Sequence, residues 1–421
     1  MIENRQYRIS AAELDKGEPL LSVVERALGP SALRWYVSQV TKDNILVEAT
    51  IADEEHLRGD QHVERGDRHY YPGKSAVLNV IPTGIGCSIG GYAGDASPVT
   101  NLLASTADYL LTHPNSLNAS NFIGLAAENI VYTDGYCIDL FCKGLVDLRL
   151  PYSNRVGLII EKADSRKLET IFNIVNTVRA VHGVSITDYL VTDQPIGGRC
   201  VENGSGAFVG TVDNLGVLLR SAEKLISNGV DAIAVTSDIQ DLPLENYARH
   251  FQGEYPNPVG GVEAVISYSI SKQFRIPSAH APLLNLKQLD MSTDVVDARG
   301  AGEMSSASGL ACILIGLRKA PQIDPRSNSR TTDIINVHNL LAVVGPATAL
   351  GGIPMICAQK HGIPLIAVRG NETVFDVTAK KLRFENVIEV HNYAEAAGIV
   401  MALKKGISLE AISRPLRTFR P

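Results

Sequence analysis

The chain lacks a surplus of positive charge. Its 421 residues carry 39 lysines and arginines against 45 aspartates and glutamates, a formal charge of −6. A general nucleic-acid binder needs a basic excess to displace counterions, so that class is excluded. Cysteine is scarce as well. Six are present with no Cys-x-x-Cys spacing, which excludes a disulfide scaffold and argues against structural zinc. No fixed-period repeat and no low-complexity tract occurs. Hydrophobic residues at 45% and charged residues at 20% exclude a disordered or fibrous chain. Long apolar runs are missing too: Leu340 to Ala358 holds no charge, but Gly345-Pro346, Gly351-Gly352 and Pro354 interrupt it, against a membrane span. Met1-Ile2-Glu3-Asn4-Arg5 opens no apolar segment, so a cytoplasmic location is expected.

What is present is alternation. Residues 1–72 read as a small α+β unit: a helix over Leu20 to Leu28, strands over Arg34 to Val40 and Ile45 to Ile51, then a solvated connection. His56, His62 and His69 lie in that connection, where a charged solvated run is favoured over a metal site. From Ser75 onward short apolar strands alternate with helix-length segments. Examples are Ala76 to Ile81 before a helical pattern over Pro98 to Thr112, Val156 to Ile160 before Leu168 to Val181, and Asp231 to Thr236 after Leu215 to Ser227. Val262 to Lys272, Met304 to Leu317 and Leu340 to Val344 continue the pattern. The expected class is α/β: two Rossmann-like lobes with mainly parallel sheets, at 73–212 and 213–421, behind the N-terminal unit.

The most informative segment is Pro82 to Asp95, with glycines at 84, 86, 90, 91 and 94 directly after a strand, and Ser97-Pro98 opening the next helix. Glycine permits positive φ and close backbone approach. Such a loop can present N–H groups to a phosphate or carboxylate. It ends in no Gly-Lys-Ser/Thr and does not match a dinucleotide fingerprint. Thr83, Gly84, Gly86, Gly90 and Gly91 are therefore candidate substrate-binding residues; a tight turn in a crossover is the bland alternative. Gly260-Gly261 before a helix and Gly345 to Gly352 add two more loops, and Gln194 to Gly210 has the composition of a lid.

Polar candidates cluster near these loops. His280, pinned between Pro277 and Pro282, and His113 are candidate general acid/base residues. Satisfaction of loop carbonyls and helix capping are the alternatives. Asp95 would orient a cationic group or cap its helix. Asn115 and Asn118 follow His113. Glu263 sits in the first turn of a helix, where the dipole alone favours it. Arg299 would fork a carboxylate or pair with Glu303. Cys137 and Cys87 are the thiols considered for nucleophilic chemistry, without a signature; no Gly-x-Ser-x-Gly elbow is present.

Taken together, Pro82-Thr83-Gly84-Ile85-Gly86, Ile89-Gly90-Gly91-Tyr92-Ala93-Gly94-Asp95, His113-Pro114-Asn115, Gly260-Gly261-Val262-Glu263-Ala264 and Ala279-His280-Ala281-Pro282 resemble a bacterial family common in cyanobacteria. The family is catalogued as domain of unknown function number 3326. The likeness runs from about Ser75 to about Val374 and leaves the N-terminal unit outside. It implies a shared site and brings no reaction with it. The family often has alanine at the position of Cys87, which lowers that thiol as a nucleophile.

The functional expectation is an enzyme of small-molecule metabolism, hydrolase or lyase in type. Its substrate is a polar amino-acid-like or carboxylate metabolite, with His280 or His113 moving the proton. No cofactor is evident. A divalent-metal enzyme using Asp95, His113, Glu263 and His280 is the second reading, and a non-catalytic ligand-binding or partner subunit the third. A homo-oligomer is expected, with neither nucleic acid nor membrane as partner.

Overall fold

The computed structural model describes residues 2–52, 74–117, 127–240, 244–283, 295–305, 309–324 and 334–420. The N-terminal unit is a three-stranded antiparallel sheet. Strand Asn44–Ala52 lies between Ile2–Ser10 and Ala32–Val40. Its helix Leu20–Leu28 starts after Pro19 and stops at Gly29, burying Leu20, Leu21, Val23, Val24 and Leu28. The strand Ile2–Ser10 is an addition to what the sequence signalled: its outer residues are polar, so it lacks a clean apolar alternation.

The centre of the molecule is a six-stranded parallel sheet. Its spatial order is Val387–Val390, Leu365–Val368, Leu340–Pro346, Ala76–Asn79, Tyr109–Thr112 and Ile130–Tyr132. Counted along the chain this is 3-2-1-4-5-6, the doubly wound arrangement. Ala76–Asn79 and Leu365–Val368 are buried at every position, as parallel strands covered on both faces must be. Between the third and fourth strands the chain leaves this sheet and builds a second one. Four parallel strands lie in the order Ser278–Pro282, Ala232–Ser237, Val156–Ile160, Ile186–Val191.

An α/β fold with mainly parallel sheets is thus present, but the expected division at 212/213 is corrected. The first sheet takes strands from both 76–132 and 340–390, and the second is inserted between them. Strand partners far apart in sequence leave no local mark. Two further expectations change. Pro98 to Thr112 is a helix, Ser97–Ala104, followed by the strand Tyr109–Thr112. The supposed lid at Gln194 to Gly210 is a hairpin, Gly198–Glu202 paired with Phe208–Val212. The buried carboxylate of Glu161 fixes its approach, accepting from the backbone N–H groups of Ile196, Gly197 and Asp238. Among the described residues no helix is long and apolar enough to cross a membrane.

Candidate active site

In a doubly wound sheet, ligands bind outside the carboxyl ends of the strands where the order reverses. Here that point lies between Ala76–Asn79 and Leu340–Pro346, and a cavity of about 210 Å³ occupies it. The first sheet contributes Thr83, Ile85, His113 and Asn115 from one side of the reversal, and Gly351, Gly352 and Ile353 from the other. The second sheet contributes His280 and, from the helix Gly260–Phe274, Gly260, Glu263 and Tyr268. Trp35, Val37, Ile138, Phe208 and Phe375 give it apolar walls.

Two helices aim their N-terminal ends at this space. Gly260–Phe274 and Ile353–His361 both begin on the lining, and neither start has a side-chain cap. Their partial positive charge favours an anionic group there. The acidic side is equally plain: Asp134, Asp139 and Glu263 line the cavity, opposed by one guanidinium, Arg34. Asp134 caps the helix Gly135–Cys142, accepting from Cys137 N at 3.0 Å, and burial raises its carboxyl to about 6. Asp139, one helical turn on, accepts from the Tyr268 hydroxyl at 2.9 Å, and burial raises it to about 7.

His280 is the middle residue of the strand Ser278–Pro282, with its side chain fully buried. Its Nε2 lies 2.8 Å from Ser237 Oγ. Its Nδ1 has no hydrogen-bond partner and lies 3.4 Å from Glu263 Oε1. A carboxylate only accepts, so the tautomer that suits Glu263 carries its proton on Nδ1 and leaves Nε2 to accept from the Ser237 hydroxyl. Glu263 keeps a quarter of its side chain exposed and is the member that meets the cavity. Ser237 is wholly buried and off the lining, so it anchors the ring rather than attacking a ligand.

His113 lines the same cavity in a different state. Its Nε2 accepts the Ile81 N–H at 3.2 Å, and burial lowers its pKa to about 4. It is a neutral imidazole with its proton on Nδ1, a hydrogen-bond donor rather than a base. Thr83, Asn115 and Gly260 complete the expected residues that reach the cavity; Asn118 lies outside the described residues, as do His56, His62 and His69.

The remaining candidates sit elsewhere. Asp95 accepts from Gly90 N at 2.9 Å and Tyr92 N at 3.3 Å, closing the glycine loop upon itself. A Cβ on Gly90 would sit 2.3 Å from Ile81 Cγ2, and one on Gly91 2.4 Å from the Cys87 carbonyl oxygen, so these glycines serve internal packing. Gly84 accepts from Phe208 N at 2.9 Å, Gly86 abuts Pro256, and Gly261 abuts the Phe208–Val209 backbone. Arg299 pairs with Asp297 at 2.8 Å and lies over the Tyr92 ring, while Glu303 accepts from Ala93 N instead. The Cys137 thiol donates to Asp134 at 2.8 Å and is pushed well above the usual thiol range by burial, which removes it as a nucleophile. With Asp95 off the lining, the four-residue metal set does not assemble. Among the described residues no group of three or more His, Cys, Asp or Glu is placed to hold a metal ion.

Sequence reasoning passed over Arg34, Tyr36, Ser237 and Tyr268. No motif surrounds any of them; only the fold brings them here.

Comparison with known proteins places this geometry in a family. Residues 75–413 match the family described as "Protein of unknown function (DUF3326)". An uncharacterized lipoprotein of Synechococcus sp. is 35% identical over 339 residues, which span 79% of this chain and 92% of the relative. The crystal structure of a periplasmic ribose ABC transporter from Conexibacter woesei aligns with 49% of this chain and 89% of its own, at 11% identity and a TM-score of 0.16. The relative's name, a lipoprotein, overturns the expected cytoplasmic location. Neither that name nor the family description carries hydrolase or lyase chemistry, and those two labels are withdrawn. With most of its length matched by one family and a relative sharing about a third of its residues across that span, the chain belongs to the DUF3326 family.

Proposed function

We propose that the cavity is the active site of an enzyme acting on a small polar metabolite that carries a carboxylate, and that Glu263 exchanges a proton with it. The observation that carries this reading is the chain Ser237–His280–Glu263. Its inner members are buried, its outer carboxylate faces the cavity, and the unpartnered His280 Nδ1 lies 3.4 Å from that carboxylate. Ser237 holds the ring, the ring holds the carboxylate, and Glu263 takes or returns the proton. The two uncapped helix starts and the Nδ1–H of neutral His113 are the groups suited to steadying negative charge that develops on the ligand.

The test is solvent exchange. The protein is incubated in D₂O with a panel of amino acids and 2-hydroxy acids, and loss of the α-proton signal is followed by NMR. Exchange of at least one member is expected, falling roughly 10²-fold or more in Glu263→Gln and His280→Gln with the fold retained. No exchange with any member, or exchange indifferent to Glu263→Gln, overturns the reading. The lipoprotein name of the relative favours a second reading, capture without conversion; a member that binds tightly and never exchanges supports it.

A further inference from the structure

Residues 2–52 lie outside the segment that matches the family, yet they form one wall of the cavity. The strand Ala32–Val40 brings Arg34, Trp35, Tyr36 and Val37 to the lining. The unit is fastened there. Val37 N donates to Gly351 O at 2.9 Å, and Tyr36 bridges to Gly352 at the uncapped helix start. Asn4 Nδ2 donates to Gly210 O at 3.0 Å, and Lys272 Nζ to Ala32 O at 3.3 Å. Glu48, buried within the unit, accepts from the Tyr36 hydroxyl at 2.5 Å and from Asn203 across the junction.

Arg34 has little to do within the protein. One Nη donates to Gly261 O at 3.3 Å, and the guanidinium lies 6.0 Å from the Tyr36 ring centre and 5.8 Å from that of Tyr268. No carboxylate of the described residues is bonded to it. The rest of its planar fork is available to the cavity, and among the described residues it is the only guanidinium or ammonium on the lining, with Lys143 acting on Asp139 from outside it. A dianion such as phosphate would face three carboxylates with one cation to hold it. A ligand carrying one negative and one positive group meets the lining on both counts.

We infer that the N-terminal unit selects the ligand of this cavity. Arg34 takes the carboxylate of an amino-acid zwitterion, and Glu263 and Asp139 take its ammonium. The inference rests on the small-molecule reading above and names the class of ligand and the residue that chooses it. Ligand choice is then separable from the machinery common to the family, because the unit lies outside the matched segment.

The experiment uses the full chain and three probe sets: the twenty common amino acids, their α-carboxamides and their N-acetyl forms. Binding is read by titration calorimetry and by the fluorescence of Trp35, the chain's single tryptophan, which lines the cavity. At least one amino acid binds, and its carboxamide and N-acetyl forms bind about 30-fold more weakly, as loss of a charge-assisted bond requires. Arg34→Met brings the amino acid down to the affinity of its carboxamide and changes the carboxamide less than about threefold; Arg34→Gln decides in the same assay if the methionine variant misfolds. Equal affinity of acid and carboxamide, or no effect of Arg34 replacement, overturns the inference and leaves the cavity reading standing. Equal affinity of free and N-acetylated forms overturns the zwitterion. Binding of none of the probes removes the inference together with the amino-acid-like substrate on which it rests.

Discussion

Replacing Asp139 with asparagine is expected to stabilise the unliganded protein far more at pH 8 than at pH 5. Asp139 sits inside the helix Gly135–Cys142, 9% exposed, and burial raises its carboxyl to about 7 despite the opposing influence of Lys143, the Tyr268 hydroxyl and Arg34. An unfolded aspartate loses its proton near its ordinary value of 3.8. Between those two values the folded state binds more protons than the unfolded one, so stability falls as pH rises from about 4 to about 7 and stays low above. A shift of roughly three units sets a ceiling of about 4 kcal/mol on that loss. Asparagine does not titrate and keeps an oxygen for the Tyr268 hydroxyl, 2.9 Å away, losing about 1 kcal/mol of charge assistance. The variant is then about 2–3 kcal/mol more stable than the parent at pH 8 and within about 1 kcal/mol of it at pH 5. Urea unfolding at both values, compared as the difference between variant and parent, isolates this residue from Asp95 and Asp134, which burial also raises to about 6. A variant destabilised equally at pH 5 and pH 8 would show that Asp139 is ionised and well paired in the fold, and would refute the raised carboxyl.

Two further outcomes test the placement of the walls. A Cβ on Gly351 would lie 2.3 Å from Val37 O and 2.8 Å from Val37 Cβ, so Gly351→Ala forces the N-terminal strand away from the helix start; a loss of about 1–3 kcal/mol in urea unfolding is expected, with Trp35 emission shifted to the red, and an unchanged midpoint would show the contact to be slack. Cys200 is half-buried and Cys87, Cys137, Cys142, Cys312 and Cys357 are buried, so iodoacetamide at pH 8 should label the native protein at Cys200; rapid alkylation of Cys137, read by peptide mass spectrometry, would restore it as a nucleophile.

The alternation of the fold was readable because parallel strands covered on both faces must be short apolar runs, and Val156–Ile160, Ala232–Ser237 and Leu340–Pro346 are such runs. Their order was not readable. Ala76–Asn79 pairs with Leu340–Pro346 across the whole inserted sheet, and a register so distant is set by the return of the chain, not by neighbours in sequence. The misread segment after Pro98 shows a subtler limit. Leu102, Leu103, Leu110 and Leu111 keep helical spacing, but Ser105 and Thr106 turn their hydroxyls onto the Leu102 and Leu103 carbonyls at 2.6 Å and end the helix. That competition between side chain and backbone was present in the letters Ser-Thr and was outweighed by the periodicity.

The candidate site divides along the same line. His113, Glu263 and Gly260 were legible because each stands just beyond a strand or at a helix start, where an α/β sheet gathers its polar chemistry, and His280 because two prolines frame its short strand. The glycine loop misled in part, since close approach and positive φ serve a backbone that packs on itself as well as one that holds a ligand. Gly90, at φ 87°, and Gly91 are spent on the contacts with Ile81 and Cys87, and only Thr83 and its neighbours reach the cavity. The acidic side of the site left no mark in the sequence. Glycine loops and helix starts point to an anion, but Asp134 and Asp139 come from one helix, Glu263 from another and Arg34 from a strand outside the family segment. The charge of a cavity is fixed by which side chains converge, and here three carboxyl groups and one guanidinium come together from elements far apart in sequence.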